Sequence, residues 1–436
     1  MPLRQPSPGR RFATPAASLV ILLGLLYPAA VPPASAATVL SAVPSFEQAA
    51  GALPRPKKVL QVASGAELEE ALAKAAGGDH IVLKDGTYSG IVELTRSFPA
   101  GERLVIRAES QLGAKLTGRW RVSGSGIILS GLAWQGENAA VRISGSNVRL
   151  TRCAVEGSQT RGAVVIGNQP GETTRSVMVD HCEISRYATD GIDIAPDGTV
   201  EDVAILRNYI HDGGGGKGEH NLSGNAIAVG IENGHREKAV RATVAWNLIE
   251  GHAAANTIHV KSSENLIAFN TLEKVKKKQT NISVRHGRDN RIIGNTVQGG
   301  RISTYDYGTV ILANQAKEIW LQAGNIGDDG YSEDELENKA EAGYSTRPAS
   351  RDAKLAGNDA TLVVGQHFKR YCKQQPTPVE GAAIYQHDGE VEMAPEDCVA
   401  WYKDVVNKPE SRAPEDWGPL PKPVVLSARE VGPDAK

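Results

Sequence analysis

A repeating alternation of aliphatic and polar residues runs through the middle of the chain from about residue 127. Each copy has alternating aliphatic residues, one small or amide residue, more aliphatic residues, and then a glycine or a charged turn. Most copies are 22 to 26 residues long, the length of one turn of a three-sheeted parallel β-helix. The small or amide position is occupied by Gly131, Cys153, Cys182, Asn208, Asn247, Asn270, Asn295 and Asn314. This pattern predicts an all-β fold, a right-handed, single-stranded parallel β-helix over residues 59–325.

The asparagines at this position predict a ladder of amide hydrogen bonds. Side chains at one position of successive coils lie one strand spacing apart, about 4.8 Å, so neighbouring amides can bond to each other. Asparagine tolerates the left-handed backbone region, so we expect the asparagines themselves to form a tight bend. A leucine-rich repeat and a β-propeller are excluded, because neither a Leu-x-x-Leu-x-Leu frame nor a period near ~40 residues is present.

The regions on either side of the repeat have different patterns. Ser64 to Glu67 form a capping box that predicts an amphipathic helix over residues 68–75, which would cap the N-terminal end of the coil stack. Residues 37–58 are rich in Ala and Pro and predict a linker. The repeat ends near residue 325, and we expect residues 326–436 to be a loop-rich region that packs along the β-helix.

The first 36 residues have the features of a secretory signal peptide. Arginines precede an apolar run over residues 16–27, and Ala-Ser-Ala at residues 34–36 supplies small residues for cleavage near Ala36. The apolar run is short and is followed by prolines, so no membrane span is expected in the mature protein. We therefore expect a secreted or periplasmic protein, and a monomer.

The chain has four cysteines, an even number for an oxidising compartment. Cys372 and Cys398 flank a loop-rich stretch, where we predict a disulfide. Cys153 and Cys182 occupy matching positions in successive repeats, where a bridge and two stacked buried thiols are both open. No Cys-x-x-Cys motif or histidine cluster has metal-ligand spacing, so zinc is not expected.

Positive charge is concentrated in one part of a chain whose net charge is only −2. Residues 241–301 contain ten Lys or Arg and four acidic residues. Lys261 and Arg285 take nearly the same place in two consecutive copies of the repeat, so they would project from neighbouring strands. Holding two cations so close is unfavourable unless they meet an anion or serve a reaction. Aromatic residues are too few here for nucleic acid, so an acidic polysaccharide is the expected partner.

Two motifs in this stretch resemble a known family. VKSSEN at residues 260–265, followed by VRHG at residues 284–287, is similar to the paired motif of polysaccharide lyase family 6, the β-helical alginate lyases and chondroitinase B. Residues 78–90 and 426–433 are also similar to that family. The resemblance implies β-elimination at a uronic acid, with Lys261 as the base and Arg285 as the acid or stabiliser of the leaving oxygen. Alginate is the first expected substrate, and chondroitin, dermatan or another glycuronan is the alternative.

The chain departs from the family at the metal site. In the calcium-dependent members two glutamates precede the lysine and an asparagine lies one coil earlier. Here the glutamate positions are Ala254 and Asn256, and Asn225 matches the asparagine. A hard divalent cation has little to bind without carboxylates, so we expect no cofactor, with calcium as the open alternative.

The substrate carboxylate then needs other partners. Asn225, Asn256, His259 and His286 are the candidates for binding it. The alternative roles are turn amides for Asn225 and Asn256 and a packed strand residue for His259.

Two further residues are candidates for substrate binding. Tyr305 is in register with Lys261 one coil beyond Arg285, where it could stack on a sugar or assist proton transfer, or simply cover the core. Arg301 could bind a neighbouring uronate, a hypothesis from its charge alone.

Three other functions remain open. The sequence TDG at residues 189–191 resembles part of a polygalacturonase motif, which would make the chain a glycoside hydrolase. The companion motifs are missing, so we predict Asp190 to be a turn residue. A uronan C5-epimerase shares the first proton abstraction. A non-catalytic polysaccharide-binding protein would use the same cationic groove.

Overall fold

The computed structural model describes residues 51–167, 169–214, 224–230, 238–254, 256–274, 280–305, 308–321, 353–364 and 420–435. The chain divides into Met1–Ala34 and Ser35–Lys436, and all of the described residues lie in the second unit. The predicted signal peptide, the predicted disulfide of Cys372 and Cys398 and most of the insertion at residues 213–221 therefore lie outside the described residues.

The described residues form one helix, α1 (Gly65–Lys74), and 31 short strands. In chain order the strands are β1 (Val59–Val62), β2 (His80–Leu83), β3 (Gly86–Ser89), β4 (Val92–Leu94), β5 (Leu104–Ala108), β6 (Ala114–Thr117), β7 (Arg119–Val122), β8 (Ile127–Ser130), β9 (Ala133–Gln135), β10 (Ala140–Ile143), β11 (Val148–Thr151), β12 (Ala154–Glu156), β13 (Gly162–Gly167), β14 (Thr173–Asp180), β15 (Glu183–Ser185), β16 (Asp190–Ala195), β17 (Thr199–Leu206), β18 (Tyr209–His211), β19 (Asn225–Val229), β20 (Thr243–Ala245), β21 (Leu248–Glu250), β22 (Asn256–Val260), β23 (Leu266–Ala268), β24 (Thr271–Glu273), β25 (Thr280–Val284), β26 (Arg291–Ile293), β27 (Thr296–Thr304), β28 (Val310–Leu312), β29 (Gln315–Leu321), β30 (Lys354–Ala356) and β31 (Asp359–Val364).

The strands stack into three faces. The first face runs β1-β2-β5-β8-β11-β14-β17-β20-β23-β26-β28-β30. The second face runs β3-β6-β9-β12-β15-β18-β21-β24, and the third runs β4-β7-β10-β13-β16-β19-β22-β25. The long strand β27 pairs with both β24 and β25, and β29 and β31 follow it. Every pairing is parallel, and the prediction of a right-handed parallel β-helix is confirmed.

Columns of aliphatic side chains fill the interior of the coil. Along the third face Ile192, Ile227, Ile258, Ile282 and Ile302 follow one another in register, and each is fully buried. Each such side chain contributes about 1.5–3 kcal/mol when it leaves water. Because side chains alternate along a strand, the residue after each isoleucine points to the outside of the coil. The third face therefore presents one outward row of side chains, one from each coil.

The predicted amide ladder is present and is longer than expected. Its members are Asn208, Asn247, Asn270, Asn295, Asn314 and Asn358, all fully buried. Each side-chain Nδ2 and each backbone N–H donates to the Oδ1 of the next member at 2.9–3.0 Å. Every coil from residue 208 onward is thus joined to the next by bonds that water does not reach.

The bend next to the ladder lies one residue earlier than predicted. The residues with left-handed backbone are those before the asparagines, such as Arg207 (φ 54°), Trp246 (φ 54°) and Phe269 (φ 55°). The asparagine has to point inward to bond its neighbours, so the preceding residue makes the turn. Gly131 has the same conformation (φ 67°), and Leu132 occupies the ladder position in that coil. The assignment of Gly131 to the ladder position was therefore wrong by one residue.

Both ends of the described chain pack on the coils. Ser64 caps α1 by accepting a hydrogen bond from the Glu67 backbone N–H at 3.2 Å, and Leu68 and Ala71 of the helix are buried. Residues 420–435 lie along several coils, as shown by bonds from Val424 N to Gly294 O and from Gly432 N to Arg207 O. No helix among the described residues is long and apolar enough to cross a membrane.

Cys153 and Cys182 are buried free thiols in successive coils. Each thiol donates to a backbone carbonyl two residues earlier, Thr151 at 3.2 Å and Asp180 at 3.3 Å. Of the two interpretations that the sequence leaves open, the structure has the stacked thiols.

Candidate active site

Lys261, Arg285 and Tyr305 occupy equivalent positions in three successive coils, each directly after a strand of the third face. The backbone N–H of each donates to a carbonyl of the coil before: Lys261 to Val229 O at 2.9 Å, Arg285 to Val260 O at 2.8 Å, and Tyr305 to Val284 O at 2.8 Å. All three side chains are half-buried. Neighbouring members are about one strand spacing apart, ~4.8 Å. The structure therefore brings the two predicted catalytic residues and the tyrosine into one row.

A buried polar network holds the turn that follows Lys261. The Ser262 hydroxyl donates to Val229 O at 3.0 Å and accepts from Asn265 Nδ2 at 3.1 Å. Asn265 Nδ2 also donates to Asn290 Oδ1 at 2.9 Å, and Asn290 Nδ2 donates to Ser262 O at 2.9 Å. These residues fix the turns that follow Lys261 and Arg285. Sequence reasoning missed Asn265 and Asn290, although they are 25 residues apart, the same separation as Asn270 and Asn295.

The glycine of the VRHG motif allows the two turns to approach each other. Gly287 has φ +116°, and a Cβ atom there would lie 2.2 Å from the Ser262 carbonyl oxygen. Any larger residue would push the turn after Arg285 away from the turn after Lys261. The spacing of the predicted catalytic pair therefore depends on a glycine that has no side chain of its own.

His259 lies on the outer side of β22, two residues before Lys261, and is only 6% exposed. Burial lowers the pKa of His259 well below its usual value, and the positive charges of Lys261, Arg285 and His286 lower it further. The imidazole is therefore neutral at pH 7. Within the described residues its Nε2 has no hydrogen-bond partner, so a neutral polar group lies beside the cation pair. His286, directly after Arg285, is 1% exposed.

Asn225 is held by a carboxylate of the preceding coil. Its backbone N–H and its Nδ2 both donate to Asp190 Oδ1 at 2.8 Å, and both residues are buried. Asp190 is the first residue of β16, so its prediction as a turn residue was wrong. The strand begins there because Gly162 in the coil before pairs with Asp190 in register. Asn256, half-buried, pairs in register with Asn225 one coil later.

The residues at the family's calcium positions do not fit a hard divalent cation. Ala254 is buried and offers only a methyl group, and Asn256 offers a neutral amide. No group of three or more His, Cys, Asp or Glu that could hold a metal occurs among the described residues. Calcium prefers several charged oxygen ligands, which these positions lack.

Burial affects Arg285 and Tyr305 in opposite directions. It lowers the pKa of the Arg285 guanidinium and raises the pKa of the Tyr305 phenol. The charge of Arg285 only partly offsets the effect on Tyr305. Tyr305 therefore keeps its proton at neutral pH and can donate a hydrogen bond next to Arg285.

Several other cations of the basic stretch lie beside acidic residues. Arg301 forms an ion pair with Glu318 at 2.7 Å, and its guanidinium lies 4.7 Å from the centre of the Trp320 ring. Lys274 pairs with Glu250, and Arg241 pairs with Glu201 at 2.9 Å. The local excess of positive charge at the row is thus smaller than the sequence count indicates.

Comparisons with known proteins agree on one type of protein. The sequence model of the family described as Chondroitinase B matches residues 62–321. The polysaccharide lyase Pedsa3628 of the PL6 family, from Pseudopedobacter saltans, is similar over 86% of this chain and 99% of that chain, with 15% identity and a TM-score of 0.60. No curated protein matches the sequence.

Two further solved structures share the fold. A mannuronic acid specific family 6 lyase from human gut microbiota is similar over 71% of this chain and 76% of that chain, with 18% identity and a TM-score of 0.55. The alginate lyase AlyF-OU02 is similar over 72% of this chain and 74% of that chain, with 18% identity and a TM-score of 0.53. At these identities the structural likeness concerns the fold alone.

Proposed function

The chain belongs to the chondroitinase B family of polysaccharide lyases, and on that premise we propose that it cleaves alginate by β-elimination at the row of Lys261, Arg285 and Tyr305. The observation that carries the proposal is the equivalence of Lys261 and Arg285, which project from the same position of consecutive coils. A base and a group that stabilises the leaving oxygen have to act on adjacent carbons of one sugar, and a spacing of ~4.8 Å suits that task.

Lys261 is the proposed base. Its neutral amine removes the proton at C5, the electron pair forms the C4=C5 double bond, and the bond from C4 to the glycosidic oxygen breaks. Only the neutral amine can accept the proton. Partial burial and the neighbouring Arg285 both favour that neutral form, because each disfavours a second positive charge.

Arg285 is the proposed partner of the leaving oxygen. Its guanidinium donates hydrogen bonds to the oxygen and neutralises the negative charge that develops there. A guanidinium seldom gives up its proton, so the protonated Tyr305 in the next coil is the proposed proton donor to the leaving oxygen, and water then returns a proton to its phenolate. The two donors would act together at the step in which the bond breaks.

The substrate carboxylate must be neutralised before the C5 proton becomes acidic. We assign this role to His259, His286, Asn225 and Asn256, which offer hydrogen-bonding groups, together with the charges of the cation pair. His259 supports this assignment, since its buried Nε2 has no partner among the residues that the structure describes, which is costly unless a ligand binds it. The proposed reaction does not depend on calcium.

An ultraviolet assay for the C4=C5 double bond tests the proposed function. The purified protein is incubated with alginate, polymannuronate, polyguluronate, chondroitin and dermatan sulfates, pectate and glucuronan. Absorbance that grows fastest on alginate is the expected result. Fastest cleavage of chondroitin or dermatan sulfate would support lyase activity but would overturn alginate as the proposed substrate.

The same samples distinguish the other functions. Reducing ends without absorbance would indicate a hydrolase, and a changed uronate ratio at constant chain length would indicate an epimerase. Retention of polymer without any chemical change would indicate a binding protein.

A further inference from the structure

A cluster of four arginines lies on the same face as the proposed active site, in earlier coils. It consists of Arg119 and Arg121 on β7, Arg142 on β10 and Arg161 just before β13. Trp120, Val141 and their neighbours point into the core, so the arginines on either side of them point outward. Arg121 and Arg161 are about half exposed, with side-chain exposures of 49% and 45%.

The cluster is a built arrangement of positive charge. Arg142 lies at its centre and donates to Gly162 O at 2.7 Å and to the Thr160 hydroxyl at 2.9 Å. Burial lowers the pKa of Arg142 to about 10, and the charges of Arg119, Arg161 and Arg121 are among the further causes. The guanidiniums are therefore close enough to repel one another, which is unfavourable without an anion.

The acids within the cluster do not balance it. Glu93 pairs with Arg121 at 3.0 Å, and Asp193 lies 3.4 Å from Arg161. Burial first, and then the charge of Asp190, raise the pKa of Asp193 to about 7, so its negative charge is incomplete at neutral pH. Within the described residues the buried Nε of Arg119 has no hydrogen-bond partner. Asp190 also interacts with Arg161, so acidic groups offset the four positive charges in part, and the Nε of Arg119 remains as a donor for a ligand.

Arg121 and Arg142 of the cluster are in register with His259, two residues before Lys261 on the same face. From β10 to β22 the third face runs through β13, β16 and β19, which is four strand spacings or about 19 Å. A polymer that lies on the outer side of this face and passes the catalytic pair would reach the arginines only if it extends over those coils. Its carboxylates or sulfates are the anions that this geometry suits.

We propose that Arg119, Arg121, Arg142 and Arg161 form a distal subsite that binds the acidic groups of a long uronate polymer whose cleaved bond lies at Lys261 and Arg285. The inference rests on the proposed function for the position of the cleaved bond. It adds that the enzyme favours long chains over short ones, because only long chains contact both sites.

The test compares an Arg121→Ala/Arg161→Ala variant with an Arg175→Ala/Arg186→Ala control. The control removes two exposed arginines that are also paired with acids, Glu201 and Glu156, but lie outside the cluster. The measured quantity is kcat/KM on polymer divided by kcat/KM on the shortest oligosaccharide that is cleaved. We expect this ratio to fall about 3- to 10-fold in the cluster variant and to stay constant in the control, since each exposed charge pair contributes only modestly. A constant ratio in the cluster variant, or an equal fall in the control, would overturn the proposal.

A binding measurement separates this inference from the proposed function. Both pairs of substitutions are placed in a Lys261→Ala background, so that the polymer is not cut, and Kd for polyuronate is measured at low and moderate salt. A rise of about 3- to 10-fold that salt diminishes is expected for the cluster pair only. An unchanged Kd would overturn the proposal of a distal subsite, whether or not the protein is a lyase. If the unmodified protein forms no unsaturated product, only the proposed function is overturned.

Discussion

Two stacks of side chains in the same coils have opposite characters. The asparagine ladder repeats one residue from Asn208 to Asn358, points inward, and satisfies each member with the next. The row of Lys261, Arg285 and Tyr305 has the same backbone spacing, but it changes residue in every coil and is half exposed. Identical polar residues in register stabilise a solenoid, because each amide is both donor and acceptor. Unlike residues in register cannot form such a ladder, which is consistent with the proposed role of this row in binding a ligand.

The largest expected effect is on the chemistry of the row. Lys261→Ala should reduce kcat by about 10²- to 10⁴-fold, since it removes the proposed base. Formation of unsaturated product measures the effect, and thermal unfolding checks that the fold is retained. Lys274→Ala is the matched control, because Lys274 is exposed and pairs with Glu250 on another part of the coil. Full activity of the Lys261 variant would exclude the mechanism.

The largest effect on stability is expected from the ladder. Asn270→Ala removes the acceptor for the backbone N–H and the Nδ2 of Asn247. The buried N–H then loses its side-chain partner, whereas Nδ2 keeps its bonds to Ile205 O and Ala245 O. The free energy of unfolding should fall by about 3 kcal/mol or more. Denaturant unfolding measures it, with Gln298→Ala as control, because that exposed amide bonds only to Glu273 among the described residues. Equal stability of the two variants would mean that the ladder is not a source of stability.

The sequence predicts the parts of each stack whose residues recur at a regular interval. Asn247, Asn270 and Asn295 recur at nearly constant intervals, so their alignment follows from counting. The same counting places Lys261 and Arg285 one coil apart. The network of Ser262, Asn265 and Asn290 and the bond from Asn225 to Asp190 were not predicted. The 25-residue spacing of Asn265 and Asn290 indicates successive coils, but spacing does not encode how close two turns approach or which way a side chain points.

The bend beside the ladder shows the same limit. Residue preferences favour left-handed backbone at asparagine, but inward hydrogen bonding holds each asparagine in place and shifts the bend to residues such as Trp246 and Phe269. Tertiary hydrogen bonds therefore outweigh the local preference of asparagine for left-handed backbone.

A glycine substitution next to the row should affect both stability and activity. Gly287→Ala should lower stability by about 1–3 kcal/mol and lower activity as well, because its Cβ would meet the Ser262 carbonyl and shift the turn that follows Arg285. Gly299→Ala is the control, since Gly299 also has positive φ, +68°, but nothing lies within 4 Å of its added Cβ. Unfolding and product formation are measured on both variants. If the two lose activity equally, backbone conformation alone and not the contact with Ser262 explains the loss.

The buried acids of the third face should make stability depend on pH. The raised pKa values of Asp190, to about 6, and Asp193, to about 7, mean that the folded state binds protons more tightly than the unfolded state. Stability from this source is present near pH 4 and is lost as pH rises to about 7. Asp193→Asn should therefore stabilise the protein by about 1–3 kcal/mol at pH 8, and the gain should shrink toward pH 4. Unfolding measured across this range checks the sign, with Asp202→Asn at an exposed carboxylate as the control.

The smallest expected effect is that of a chelator. The amides of the ladder bond to each other, whereas the family resemblance places Asn225 and Asn256 at positions expected to bind calcium. Ala254 and Asn256 stand where that resemblance predicts glutamates. If neutral amides, imidazoles and the cation pair neutralise the substrate carboxylate, removal of divalent ions should leave kcat/KM within about twofold, because no carboxylate ligand set is lost. The melting temperature should also stay constant when calcium is added back. Loss of activity with chelator that calcium restores would contradict this prediction and would show that Asn225 and Asn256 help to bind a metal. The two sets of amides would then differ in their partners, each other in the ladder and a metal ion at the site.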